Sequence, residues 1–79
     1  MKEEEDFFYI DVKCYEGYKE CERPISFQWG TKYIEIKEII DQWQGENHTY
    51  FKIKDQLQSI YIIRKDIVSN KWQIVFWNK

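Results

Sequence analysis

The stretch Ile25-Ser26-Phe27-Gln28-Trp29-Gly30-Thr31-Lys32-Tyr33-Ile34-Glu35-Ile36-Lys37 decides the fold class. In its first half Ile25, Phe27 and Trp29 alternate with Ser26 and Gln28, the period-two signature of a strand with one buried face. Gly30-Thr31 then reads as a tight turn of the Gly-first kind, and Tyr33 to Lys37 returns the chain as a second strand. Two runs joined in this way make a β-hairpin. Pro24, which has no N–H to give to a ladder, suits the start of its first strand or a sheet edge.

The same alternation continues on both sides. Upstream, Phe8, Ile10, Val12 and Cys14 oppose Tyr9, Asp11 and Lys13. Downstream, Phe51 and Ile53 oppose Tyr50, Lys52 and Lys54, a further strand runs from Ile60 to Lys65, and Lys71 to Trp77 closes the chain with Trp72, Ile74 and Phe76 on one face. Loops are expected around Gly17, at Gly45 to His48, at Asp55 to Gln58 and at Asp66 to Asn70. Residues 36–44 are ambiguous, because Ile36, Ile39, Ile40 and Trp43 fall at the i, i+3, i+4, i+7 spacing of an amphipathic helix. A strand that bends near Lys37-Glu38 fits better. The segment grows out of a hairpin without an N-cap, and Ile and Trp are mediocre helix formers. The α+β alternative keeps everything except a short helix over 36–44.

Composition points the same way. The aliphatic residues are twelve Ile and three Val against one Leu and no Ala, and β-branched side chains fit a pleated surface better than a helix. Seventy-nine residues suffice for one domain and one core. Four Trp, six Tyr and five Phe can each bury roughly 150–250 Å², so this core needs no metal or disulfide staple. The expected architecture is all-β, a small open antiparallel barrel or strongly bent meander of five to six strands, SH3-like in the way it curls to hide its edges. An acidic lead-in over residues 1–6, with Glu3, Glu4, Glu5 and Asp6, precedes a single domain over 7–79. The expected core is Phe8, Ile10, Val12, Phe27, Trp29, Ile34, Ile36, Phe51, Ile53, Tyr61, Ile63, Trp72 and Ile74.

A net charge of −2 speaks against a general nucleic-acid binder. The charge is unevenly spread. Residues 1–49 carry six Lys/Arg and twelve Asp/Glu, whereas residues 50–79 carry six and two, which can mark a polarised surface. No apolar run approaches the roughly 18 residues of a membrane span, and the acidic start is unlike a signal peptide, so a cytoplasmic protein is expected. Two cysteines, Cys14 and Cys21, make no disulfide framework and are read as ordinary thiols, with a redox or disulfide pair as the alternative. With the single histidine, His48, in a distant loop, they form no metal set.

No nucleophile–base pair, phosphate loop or carboxylate pair stands at motif spacing, so neither an enzyme nor a cofactor is expected. Candidate functional residues come instead from leftover strand faces. If Tyr61/Ile63 and Trp72/Ile74/Phe76 point inward, then Ile60, Ile62, Val75 and Trp77 remain outside, an apolar face suited to a protein partner or a second copy of the chain. Phe7 and Tyr9, or the loop around Leu57, Ile67 and Val68, could cover it within the molecule. The alternative site is a single-stranded nucleic-acid face of Tyr50, Lys52, Lys54, Arg64 and Lys65, since aromatic and basic residues together make stacking platforms.

Cys14-Tyr15-Glu16-Gly17, Glu22-Arg23-Pro24-Ile25-Ser26-Phe27-Gln28-Trp29, Ile36-Lys37-Glu38-Ile39 with Trp43, Tyr50-Phe51-Lys52-Ile53-Lys54 and Trp72-Gln73-Ile74 together resemble a family of short uncharacterised bacterial proteins. The resemblance covers most of the chain after Phe8. It implies a small β domain in the bacterial cytoplasm and supplies no catalytic residue or ligand. Gly30-Thr31 departs from the more basic turn of such relatives, which weakens any idea that this turn binds a polyanion.

Overall fold

The computed structural model describes residues 8–15 and 23–78. Six strands follow one another: β1 (Phe8–Tyr15), β2 (Arg23–Trp29), β3 (Lys32–Gln44), β4 (His48–Asp55), β5 (Ile60–Asp66) and β6 (Trp72–Asn78). Each pairs antiparallel with the next, and β6 returns to β1, so the sheet closes into a barrel in the order β1 to β6. No helix occurs among the described residues. The all-β class is as expected, but the barrel is closed rather than open. Phe8↔Ile74, Tyr9↔Gln73 and Ile10↔Trp72 join its first and last strands.

The hairpin at Gly30 has the expected register, with Trp29 opposite Lys32 and Phe27 opposite Ile34. Gly30 takes φ +65°, a left-handed conformation that Gly adopts without a Cβ penalty. Residues 36–44 belong to the 13-residue strand β3. Its helical-looking spacing has a different cause. Ile36 pairs with Asp55, Glu38 with Lys54, Ile39 with Ile53 and Asp41 with Lys52, which leaves Lys37 and Ile40 as extra residues in two β-bulges. Each bulge resets the alternation, so inward positions recur at Ile36 and Ile39 and a period of three imitates a helix.

Two further bulges redirect side chains. Between the pairs Lys13↔Ser26 and Cys14↔Pro24, Ile25 is the extra residue; Pro24 is buried and Ile25 exposed, which corrects the expectation that Ile25 shares the inner face of Phe27. Between Ile62↔Phe76 and Ile63↔Ile74, Val75 is the extra residue. It shifts the inner alternation of β6 from Ile74 to Trp77, so Phe76 does not continue the line of Trp72 and Ile74.

The core holds Ile10, Phe27, Ile34, Phe51, Ile53, Tyr61, Ile63, Trp72 and Ile74, with Val12, Cys14, Trp29, Ile36 and Ile39 packed against it. Phe27 meets Tyr61 edge-on at 5.4 Å between ring centroids, and Phe51 packs against Trp72 at 5.6 Å. At one end of the barrel the buried Asp55 organises the β4–β5 turn. Its Oδ1 accepts from the N–H of Leu57 and of Ser59, both at 2.9 Å, and its Oδ2 accepts from the Tyr61 hydroxyl at 3.0 Å. Three donors satisfy the carboxylate, as burial requires. Burial, and then the hydrogen bond to Asp55, raise the Tyr61 phenol above its ordinary pKa.

Candidate functional site

Paired residues on adjacent antiparallel strands share a side of the sheet, so the register of β3–β6 assembles the outer surface row by row. The first row is Trp43, Tyr50, Arg64, Gln73 and, on β1, Tyr9. The second is Asp41, Lys52, Ile62 and Phe76; the third is Glu38, Lys54, Ile60 and Asn78. Parts of the two candidate sites read from the sequence therefore share one surface. Ile60 and Ile62 stand beside Lys52 and Lys54, below Tyr50 and Arg64.

Two members of the expected apolar face are placed otherwise, for one reason. Val75 is the bulge residue and half-buried. Beyond it the alternation is inverted. Trp77, opposite the buried Tyr61, lies on that side of the sheet, still 44% exposed, and meets Trp29 edge-on at 4.7 Å. Phe76, 45% exposed, takes its place outside as the neighbour of Ile62. The sequence alternation missed Phe76 because no residue type announces a bulge at Val75. Lys65 is also corrected. It pairs with Thr49 and with the buried Trp72, so it lies on the opposite side of the sheet from Tyr50 and Arg64. Of the expected covers, Leu57 and Val68 are exposed, as is half of Ile67, and Tyr9 sits in the top row beyond Gln73; Phe7 lies outside the described residues.

The top row is locked. Tyr50 stacks on Trp43, 5.3 Å between centroids and only 4° from parallel. Arg64 Nε donates to Gln73 Oε1 at 2.9 Å, and Nη1 lies 3.4 Å from the Tyr50 hydroxyl. His48, the first residue of β4, stands opposite Asp66, its Nε2 3.5 Å from Asp66 Oδ2, and tilts against Tyr50 at 6.1 Å. Asp66 is itself fixed, its Oδ1 accepting from Val68 N–H at 2.8 Å and Ser69 N–H at 2.9 Å. The Ser69 N–H chiefly, with smaller help from the Val68 N–H and the nearby His48, holds the Asp66 carboxyl below its ordinary pKa, although burial pushes the other way. His48 is thus part of a strand-end clamp and not a solvated loop residue.

The cations of the face are unequally engaged. Lys54 lies 3.8 Å from Glu38, and Arg64 is hydrogen-bonded as above. Lys52 makes no ion pair among the described residues. Its cross-strand neighbour Asp41 turns Oδ1 back to the N–H of Gln42 at 2.8 Å.

Cys14, half-buried against the core, is disulfide-bonded, against the expectation of an ordinary thiol; Cys21 lies outside the described residues. Comparison with protein-family models, curated proteins and solved structures finds no match to the chain.

Proposed function

We propose that this protein is a non-enzymatic protein-binding module and that its contact surface is the outer face of β4–β6, formed by Ile60, Ile62 and Phe76 with Lys52 and Lys54 and rimmed by the Trp43–Tyr50 stack. The observation that carries this reading is the bulge at Val75, which sets a half-exposed Phe beside Ile62. A clustered apolar surface with a polar margin is the usual signature of an interface. Across this face β4 and β5 are paired on both sides, so a partner there engages side chains rather than adding a strand. The aromatic rim is held by stacking and hydrogen bonds, so little ordering entropy is lost on contact.

A photo-reactive residue at position 62 tests this in cells, against one at Gln28, which is exposed on the β1–β3 wall. A defined protein adduct, to a partner or to a second copy, is expected from 62, absent from 28 and lost when Phe76→Ser is added. Equal adducts from both positions, or none from 62, would contradict the proposal.

A second reading, a single-stranded nucleic-acid platform, draws on the Trp43–Tyr50 stack beside Arg64. Lys54 is paired with Glu38 and Arg64 is engaged by Gln73 and Tyr50, which weighs against it, since a phosphate chain needs several available cations in line. Its mark would be an affinity for single strands that collapses as salt is added. On location, the disulfide at Cys14 favours an oxidising compartment over the cytoplasm expected from the sequence.

A further inference from the structure

The face offers one feature that selects among protein partners. Lys52 stands in the middle row between Ile62 and Asp41, half-buried, with apolar neighbours on β5 and β6. Lys54 below it already has Glu38 within 3.8 Å, and Arg64 above it is spent on Gln73 and Tyr50. Asp41, the one acid in its row, is turned to the backbone of β3. Lys52 therefore presents an ammonium group, with no ion pair among the described residues, at the border of an apolar strip.

We propose that the occupant of this face is a polypeptide segment that places a carboxylate between apolar side chains: the carboxylate on Lys52, the apolar groups on Ile60, Ile62 and Phe76. This rests on the protein-binding reading above and names the chemistry of the partner. A second copy of the chain fits less well. The face runs in stripes, acidic on β3 (Glu38, Asp41), basic on β4 (Lys52, Lys54) and apolar on β5–β6 (Ile60, Ile62, Phe76). Two such faces laid together by a two-fold axis along the strands can match apolar to apolar or acid to base, but not both at once. With the axis across the strands, like charges meet. A nucleic-acid strand needs several free cations in line, and here Lys54 and Arg64 are already engaged. A segment with one acid amid apolar residues matches what the surface supplies.

The test uses the full chain and two short capped peptides of identical leucine and phenylalanine content on serine–glycine flanks, one with a central glutamate and one with a central lysine. Binding is followed by NMR shifts of the backbone amides. The glutamate peptide is expected to shift Lys52, Ile60, Ile62 and Phe76 and to bind about fivefold more tightly than its lysine twin, the scale of exchanging an attractive for a repulsive exposed ion pair. Lys52→Met, which keeps the apolar stem, should abolish that preference, and Lys52→Glu should reverse it. Equal affinity of the two peptides, a preference that survives Lys52→Met, shifts confined to another wall, or no binding of either peptide would overturn the proposal. A single-stranded oligonucleotide that displaces the glutamate peptide would overturn it in favour of nucleic acid. The peptide titration and the cross-link from position 62 fail independently: an adduct from 62 without acid selectivity rejects the occupant and keeps the interface.

Discussion

Trp77 meets Trp29 edge-on with 4.7 Å between ring centroids, while the next residue toward the bulge, Phe76, stands on the other side of the sheet beside Ile62. Two adjacent aromatics thus have different work. Both rings are about half exposed, Trp77 at 44% and Phe76 at 45%, so the difference rests on the ring pair with Trp29: Trp77→Ala should cost about 0.5–1.5 kcal/mol more than Phe76→Ser, the worth of an aromatic contact. Urea unfolding of the two variants checks the order; a larger loss at Phe76 would reverse the assignment.

Asp55 accepts from two backbone N–H groups and the Tyr61 hydroxyl, so Asp55→Ala strands the two buried donors, the Ser59 N–H and the Tyr61 hydroxyl, and frees the part-buried Leu57 N–H. A loss of about 2–4 kcal/mol is expected, against about 1–2 kcal/mol for Tyr61→Phe, which removes one donor only. The phenol also sets an alkaline limit. Its folded pKa is raised above the ordinary value of 10.0, so the fold holds its proton more tightly than the unfolded chain. That contribution is complete below pH ~10 and is lost as pH rises through the folded value. Tyr61→Phe should therefore flatten the fall in stability above pH ~10 that the parent protein shows in denaturant titrations.

Asp66 contributes to acid sensitivity. Its folded pKa is lowered from 3.8, first by the Ser69 N–H. The stabilisation it gives is present above the unfolded value and disappears as pH falls through the lower folded one. Asp66→Asn should lower the thermal midpoint at neutral pH and leave a shallower acid dependence below pH ~4. An unchanged acid profile would mean that the Asp66 turn contributes nothing to stability.

The disulfide at Cys14 should appear as a mass about 2 Da below that of the reduced chain, with no thiol detectable in the folded protein. Reduction is expected to cost about 2–4 kcal/mol by relaxing the constraint on the unfolded chain. A full complement of free thiols in protein purified under air would contradict it.

Most of the barrel was legible because period-two alternation survives wherever strands are regular. Phe51 and Ile53, Tyr61 and Ile63, and Trp72 and Ile74 all lie in the core as their spacing requires. What alternation could not supply were the bulges. Ile40 and Ile25 look like core residues by type yet are exposed, because one extra residue inverts every side chain beyond it. The candidate site suffered in the same way. Ile60 and Ile62, ahead of any slip, share one side of the sheet, while Val75 and Trp77 do not join them there, and Lys65 is separated from Arg64 by parity although the two are adjacent in sequence. The closure of β1 on β6 was also out of reach, since pairing between the chain's first and last strands leaves no local signal in either.

The most direct test of the account is a set of NMR contacts across the Val75 bulge. Nuclear Overhauser effects from the Phe76 ring to the side chains of Ile62 and Lys52, together with effects from the Trp77 indole to Trp29, are the predicted result. Effects from Trp77 to Ile62, with Phe76 instead contacting Trp72 or Ile74, would contradict it and dissolve the outer apolar face on which the proposed interface depends.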